Sequence, residues 1–84
     1  MTTLFTIKLF GPPALAFGAG EVVVELGGSG ATVADLRARL GEAAPALAPF
    51  LPAARFAVNN AFAGATQAVR AADEIALITL VSGG

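Results

Sequence analysis

Cysteine and histidine are both absent from this sequence of 84 residues. Their absence excludes disulfides, thiolate nucleophiles, imidazole bases and the commonest soft metal ligands. Charge is also scarce, because only 13% of the residues are Asp, Glu, Lys or Arg, against roughly 25% in typical soluble domains. We therefore expect no metal site and no independent active site.

Basic stripes and long apolar runs are missing as well. The five basic residues are scattered along the chain and the net charge is -1, so several phosphates could not be neutralised together and nucleic acid is not an expected partner. No run approaches the roughly 18 apolar residues of a membrane-spanning helix, and the first residues lack the features of an export signal. We expect a soluble, cytoplasmic protein without membrane contact.

Apolar residues, in contrast, make up 56% of the chain. A chain this short needs such a composition to form a stable core, and it has room for one compact domain. We predict a single domain over residues 1–80, followed by a flexible tail at residues 81–84. The apolar content exceeds what a small core needs, and an apolar patch left at the surface is typical of a partner-binding protein.

The first half of the chain predicts two strands and one helix. Residues 4–10 alternate and residues 21–26 are β-branched between glycines, so each predicts a strand, with a connection from residue 11 to residue 20. The helix is predicted over residues 33–44, because Thr32 can accept the backbone N–H of Asp35. Phe5, Ile7 and Leu9 share one face of the first strand. The helix stripe that faces the sheet consists of Val33, Leu36, Leu40 and Ala43.

The second half predicts three strands after a connection at residues 46–54, which is either irregular or a single helical turn. Residues 55–58 and 61–63 flank Asn59-Asn60, a pair that tolerates the positive φ angles of a tight hairpin turn. Residues 74–80 are apolar on both faces, which is typical of a central strand. One helix on one face of a mixed sheet indicates the α+β class.

The tail Val81-Ser82-Gly83-Gly84 is the strongest candidate for chemistry. Glycine has no Cβ, so this segment can lie extended in a narrow tunnel and present the carboxylate of Gly84 to another protein's active site. A carboxylate becomes reactive once ATP converts it to an acyl adenylate, which a sulfur nucleophile can open to a thiocarboxylate. The alternative is a frayed chain end without a role.

Other residues have weaker assignments. Phe10, Phe62 and Ile78 are candidates for an apolar partner surface beside the tail, with a core position as the alternative for each. The loop at residues 27–30 has the glycines of a phosphate-binding loop, but it lacks the lysine, so a simple turn is favoured. Asp73 and Glu74 are interpreted as turn residues, with contact to a basic partner as the alternative.

Four segments together resemble the small subunit of molybdopterin synthase and its thiamine-pathway relatives. They are residues 8–12 (KLFGP), 57–60 (AVNN), 73–77 (DEIAL) and 81–84 (VSGG). The resemblance spans the whole chain, with one departure: Thr79-Leu80 stand where the small synthase subunits often have two prolines. The ending Val-Ser-Gly-Gly favours the molybdopterin branch over a thiamine-type or other sulfur carrier.

The resemblance implies a β-grasp, ubiquitin-like fold and a role as a sulfur carrier. It implies that a ubiquitin-activating-like adenylyltransferase uses ATP and Mg²⁺ to adenylate Gly84, which a sulfur donor then converts to a thiocarboxylate. Val81, Ser82 and Gly83 would enter the large synthase subunit or another acceptor enzyme, and Phe10, Phe62 and Ile78 would face it. No cofactor would be bound by the chain itself. A ubiquitin-like interaction module that never accepts sulfur is the alternative from another class.

Overall fold

A mixed sheet of five strands organises the protein. The structure, a computed structural model, describes residues 2–28 and 30–79. The strands are β1 (Thr2–Leu9), β2 (Glu21–Gly27), β3 (Ala31–Thr32), β4 (Ala54–Val58), β5 (Ala61–Ala63), β6 (Ala68–Val69) and β7 (Ile75–Thr79). The helices are α1 (Pro12–Phe17), α2 (Val33–Ala43) and a 3₁₀ helix (Pro45–Ala53).

The last strand is central in this sheet, as its apolar character on both faces predicts. The order is β2-β1-β7-β4-β5, and β7 runs parallel to β1 and antiparallel to β4. β1 and β2 pair antiparallel from Thr2 opposite Gly27 to Lys8 opposite Glu21. The short strands β3 and β6, which the sequence pattern does not predict, form a separate pair. The α+β class with one main helix on a mixed sheet is confirmed.

The core lies between α2 and one face of the sheet. Leu36 and Leu40 of α2 are fully buried, as are Ile7 of β1 and Leu77 of β7. The alternation predicted for β1 is confirmed, since its odd-numbered apolar residues are buried. At the end of α2 the prediction is wrong by one residue: Ala43 is exposed, and the buried alanine is Ala44, just after the helix.

The start of α2 is fixed by side chains, as predicted. The backbone N–H of Asp35 donates to Thr32 Oγ1 at 3.3 Å, and the backbone N–H of Thr32 donates to Asp35 Oδ2 at 2.9 Å. This reciprocal pair is a capping box, which satisfies two amides that the first helical turn leaves without partners. It therefore fixes the residue at which the chain changes from strand to helix.

Replacing Thr32 with alanine is expected to lower the free energy of unfolding by about 1 kcal/mol, because the Asp35 amide loses its acceptor. Urea unfolding followed by circular dichroism measures this change. Thr66→Ala is the matched control, since Thr66 lies exposed in a turn. Equal stabilities of the Thr32 and Thr66 variants would contradict the role of the cap.

The connection predicted after β1 is wrong, because it contains a helix. Pro12 and Pro13 lie at the first positions of α1, where proline is tolerated since no intrahelical N–H bond is required there. Gly18 ends this helix with φ of 87°, the left-handed conformation that glycine adopts at low cost. The two prolines therefore begin a helix as well as ending a strand.

Residues 46–54, left unassigned by the sequence pattern, belong mainly to the 3₁₀ helix. Leu47 and Leu51 are buried under it. The Arg37 guanidinium of α2 donates to the backbone carbonyls of Leu51 and Ala54, and it also lies 5.5 Å from the centroid of the Phe56 ring. One arginine thus ties α2 to the chain segment that enters β4.

Candidate functional site

β7 leads the chain from the core towards its C-terminus. Its last residue, Thr79, pairs with Ala54 at the start of β4. Val81, Ser82, Gly83 and Gly84 lie outside the described residues, and so does Leu80. The role assigned to this tail therefore stays a prediction. Within residues 2–28 and 30–79, the candidate site is the sheet surface that includes the end of β7.

The open face, defined as the side of the five-stranded sheet away from α2, carries the residues of this surface. Phe62 of β5 lies opposite Ala57 of β4, and Ile78 of β7 lies opposite Arg55 of β4. Phe62 is 60% exposed and Ile78 is partly buried. Both border a shallow depression of about 220 Å³, whose lining is Ala57, Asn60, Phe62 and Ile78.

Arg55 supplies a charge beside this depression. Its guanidinium carbon lies 5.8 Å from the centroid of the Phe62 ring, which is within the range of a cation–π contact. The sequence reasoning did not assign Arg55 to the surface. The alternation of β4 could have identified Arg55 as a surface residue, because Arg55 precedes the buried Phe56 and therefore lies on the opposite face of the strand.

Phe10, the third predicted surface residue, is 55% exposed but lies apart from the depression. It follows β1 directly, and β1 borders β7 on the side away from β4. The structure thus places the three predicted residues outside the buried core. Phe62 and Ile78 lie together at the depression, and Phe10 lies on the other side of β7. Whether they contact a partner stays a prediction.

Other exposed apolar residues lie away from the depression and were not predicted as a surface. Leu4 of β1 is 60% exposed and lies opposite Glu25, near the other end of the open face. Val23 of β2 is 53% exposed, and Leu15 of α1 is 84% exposed. The alternation in residues 4–10 already places Leu4 opposite the core side. Exposure alone therefore does not mark the site.

Asn59 joins the β4–β5 hairpin to the turn before β7. Asn59 and Asn60 have φ of 52° and 68°, as predicted for this turn. The Asn59 backbone N–H donates to the Glu74 carbonyl at 2.7 Å, and the Glu74 N–H donates to Asn59 Oδ1 at 3.0 Å. Asp73 accepts the Asn59 side-chain amide at 3.1 Å and the Arg70 backbone N–H at 2.8 Å. Asp73 is therefore a turn residue, as interpreted from the sequence.

Hydrogen bonds shift the titration of the two acidic residues. The backbone N–H of Arg70, and secondly the Asn59 side chain, hold the pKa of Asp73 below its ordinary 3.8. The hydrogen bond and charge of Lys8 hold the pKa of Glu74 below its ordinary 4.5. A carboxyl whose pKa is lower in the folded state stabilises the fold above its unfolded pKa. That contribution is lost as the pH falls through the folded value.

We therefore expect acid to weaken the native state in part through Asp73, with the loss beginning near pH 3.8 and growing below it. In Asp73→Asn this part of the pH dependence is absent, so unfolding free energy should fall less steeply with acidification. Urea unfolding at a series of pH values measures the slope. Glu42→Gln on the exposed side of α2 is the control. Parallel slopes for wild type and Asp73→Asn would contradict the expectation.

The glycine loop at residues 27–30 does not bring free helix amides to a phosphate. Backbone N–H groups of Val33 and Ala34, at the start of α2, donate to the carbonyls of Gln67 and Ala65, each at 3.0 Å. Gly28 and Gly30 have φ of 90° and 86°, so they serve the turn, as favoured from the sequence.

Within residues 2–28 and 30–79, no helix has the length and apolar character needed to cross a membrane.

Comparison with known proteins gives one sequence family and several similar structures. A search of curated proteins finds no match to the chain. Among solved structures, the chain is similar to SAMP1 from Haloferax volcanii, with a TM-score of 0.80, 32% identity and coverage of 96% of this chain and 99% of that one.

Two further structures share the fold at lower identity. One is a putative molybdopterin converting factor, subunit 1, from Pyrococcus furiosus, with a TM-score of 0.78, 18% identity and coverage of 94% and 99%. The other is a complex of subunits 1 and 2 of the molybdopterin-converting factor from Helicobacter pylori, with a TM-score of 0.67, 22% identity and coverage of 98% and 100%. The predicted β-grasp fold is thereby confirmed.

The sequence model of the ThiS family matches residues 7–84, from the middle of β1 to the last glycine of the sequence. This match covers β2, β4, β5 and β7, the end of β1 and the predicted tail. The chain belongs to the ThiS family of small, ubiquitin-like sulfur-carrier proteins.

Proposed function

We propose that this chain carries sulfur on the carboxyl group of Gly84 and delivers it during molybdopterin synthesis. The observation that carries the proposal is the ThiS-family match, which extends to Gly84 itself. The chain supplies a reacting end group and a docking surface, while partner enzymes supply the catalysis. Because the chemistry consumes ATP, we assign it to the cytoplasm.

The proposed cycle has two chemical steps before delivery. An activating adenylyltransferase with ATP and Mg²⁺ joins the Gly84 carboxylate to AMP, and pyrophosphate leaves. A sulfur donor then attacks the acyl carbon, AMP leaves, and a thiocarboxylate results. Glycine suits this end because no side chain hinders its approach to either partner.

The open face supports docking beside the tail. Ile78 and Arg55 face each other one residue before β7 ends at Thr79. Phe62 lies opposite Ala57 in β4, and its ring reaches the Arg55 guanidinium. An apolar side chain in the depression, next to an acidic group facing Arg55, would match this surface. The Helicobacter pylori structure is a complex of subunits 1 and 2, which supports a large synthase subunit as the partner.

A protein modifier is the second candidate function, and the comparison with SAMP1 favours it. SAMP1, described as a small archaeal modifier protein, is 32% identical to this chain, against 18% and 22% for the two molybdopterin-related structures. The two functions share an activated Gly84 and differ in the nucleophile. Sulfur gives a thiocarboxylate, and a lysine amine of a target protein gives an isopeptide bond.

Intact-mass spectrometry tests the proposal. The chain is incubated with a ubiquitin-activating-like enzyme, ATP, Mg²⁺ and sulfide, and the expected product has one oxygen replaced by sulfur. A reaction without ATP is the control and should leave the mass unchanged. Addition of the large synthase subunit and pterin precursor should then return the carboxylate.

The outcomes separate the candidates. Thiocarboxylate that is consumed only by a thiamine-pathway acceptor would assign the chain to that branch and overturn the molybdopterin role. Conjugates to lysines in a cell extract, without thiocarboxylate, would favour the modifier. Binding to partners without any change at Gly84 would leave only an interaction module.

A further inference from the structure

Lys8 is the only lysine in the sequence, since the other basic residues are Arg37, Arg39, Arg55 and Arg70. The distinction is chemical, because a guanidinium stays protonated, whereas a lysine amine can lose its proton and accept an acyl group. Apart from the α-amino group, one nitrogen of this chain is therefore available as an acyl acceptor. Its surroundings decide how readily it reacts.

Lys8 lies on the open face, and its side chain is 48% exposed. It pairs with Glu21 of β2 on one side and with Ala76 of β7 on the other. A small acyl donor can reach it from solvent, because α2 and the core lie on the opposite side of the sheet. Accessibility alone would make Lys8 an ordinary reactive lysine.

Glu74 engages this amine directly. Lys8 Nζ donates to Glu74 Oε1 at 2.8 Å, and the Glu74 side chain is 51% exposed. Two hydrogen bonds to Asn59 hold the backbone of Glu74 in place. The Glu74 N–H donates to Asn59 Oδ1, and the Glu74 carbonyl accepts the Asn59 backbone N–H. The carboxylate therefore extends from an anchored turn, which favours a lasting ion pair over a transient surface contact.

The charges around Lys8 all favour its protonated form. The hydrogen bond and charge of Glu74 raise the pKa of Lys8 above its ordinary 10.5, Glu21 adds a smaller effect in the same direction, and desolvation opposes both. The neutral amine is the form that attacks an acyl carbon. A smaller neutral fraction means slower acylation at any given pH.

We propose that Lys8 is the single side-chain acylation site of this protein and that its ion pair with Glu74 restrains the reaction. The acyl donor belongs to the class of activated esters and acyl phosphates or adenylates. The lone pair of neutral Nζ attacks the acyl carbon, a C–N bond forms, the bond to the leaving group breaks, and the Nζ proton passes to solvent. No electron acceptor or donor is needed.

The assignment does not depend on the proposed function, because it concerns the amine and not Gly84. If the proposed function holds, an adenylated Gly84 is itself a donor of this class. The ion pair then limits the joining of one copy to another through Lys8. That consequence alone rests on the proposed function.

The test uses the full chain and N-hydroxysuccinimidyl acetate near neutral pH. Peptide mass spectrometry gives the acetylation rate of Lys8 relative to the α-amino group of the same molecules. In Glu74→Gln, which keeps the side-chain shape, the relative rate should rise about two- to fivefold, the range expected for an exposed ion pair. Glu42→Gln, on the exposed side of α2, is the matched control and should leave the rate unchanged.

Two further readouts exclude a merely structural effect. The pH profile of Lys8 acetylation should move to lower pH in Glu74→Gln, and added salt should raise the wild-type rate but not the variant rate. Circular dichroism verifies that both variants are folded. Equal Lys8 rates in wild type and Glu74→Gln, or an equal increase in Glu42→Gln, would overturn the proposal.

Discussion

Deletion of Gly84 is expected to reduce thiocarboxylate formation to the level seen without ATP. The shortened chain ends in Gly83, so its carboxylate stops one residue, about 3.3–3.6 Å, short of the position at which the activating enzyme attacks. Misplacing a reacting group by even about 1 Å can cost two orders of magnitude in rate. Intact mass after incubation with the activating enzyme, ATP, Mg²⁺ and sulfide measures the loss.

Thr66→Ala is the control for this deletion, because Thr66 lies exposed in a turn outside the tail and the variant keeps the terminal glycine. It should load sulfur at close to the wild-type level. Thermal unfolding of each variant separates a chemical defect from a folding defect. A Gly84-deleted protein that still became thiocarboxylated would remove the basis of the carrier function, while leaving the acylation of Lys8 untouched.

The elements that the sequence predicts well depend on neighbouring residues. Alternation in residues 4–10 predicts the strand β1 and which residues share each of its faces, and the Thr32–Asp35 spacing predicts the start of α2. The pair Asn59-Asn60 predicts a turn with positive φ. In each case the stabilising contact is made within a few residues, so the local pattern carries the information.

Apart from α1, the elements that the sequence misses depend on distant contacts. β3 and β6 are strands because Ala31 pairs with Val69 and Thr32 with Ala68. The 3₁₀ helix contains Pro49 and Pro52, which local rules assign to a break, and its Leu51 carbonyl accepts a hydrogen bond from Arg37 of α2. The β3–β6 pairs join residues more than thirty positions apart, and Arg37 lies 14 and 17 residues from its two carbonyl acceptors, so neither contact leaves a periodic signal.

The candidate site shows the same division. Exposure of Phe62 follows from its strand alternation and its place beside a turn, but its shared depression with Ile78 follows from the order of strands in the sheet. The contact of Arg55 with Phe62 joins neighbouring strands, so its charge becomes part of the site only after folding. The Lys8–Glu74 pair likewise brings together residues from opposite ends of the chain.

The position of an exposed apolar residue on the open face, rather than its exposure, is expected to decide its effect on partner binding. Phe62 and Leu4 are both 60% exposed on that face, yet only Phe62 borders the depression that Ile78 of β7 also lines. Phe62→Ser should weaken binding to the activating enzyme or the large synthase subunit about 30-fold, the size typical of an aromatic hot spot.

Leu4→Ser removes an equally exposed apolar side chain from the opposite end of the face and should change the affinity little. Isothermal titration calorimetry with each partner measures both variants, and sulfur loading should fall with the affinity of Phe62→Ser for the activating enzyme. The two variants together distinguish a localised docking site from non-specific binding by the whole apolar face of the sheet. Similar losses in the two variants would favour the latter, because a partner held by overall apolarity would not discriminate between the two ends.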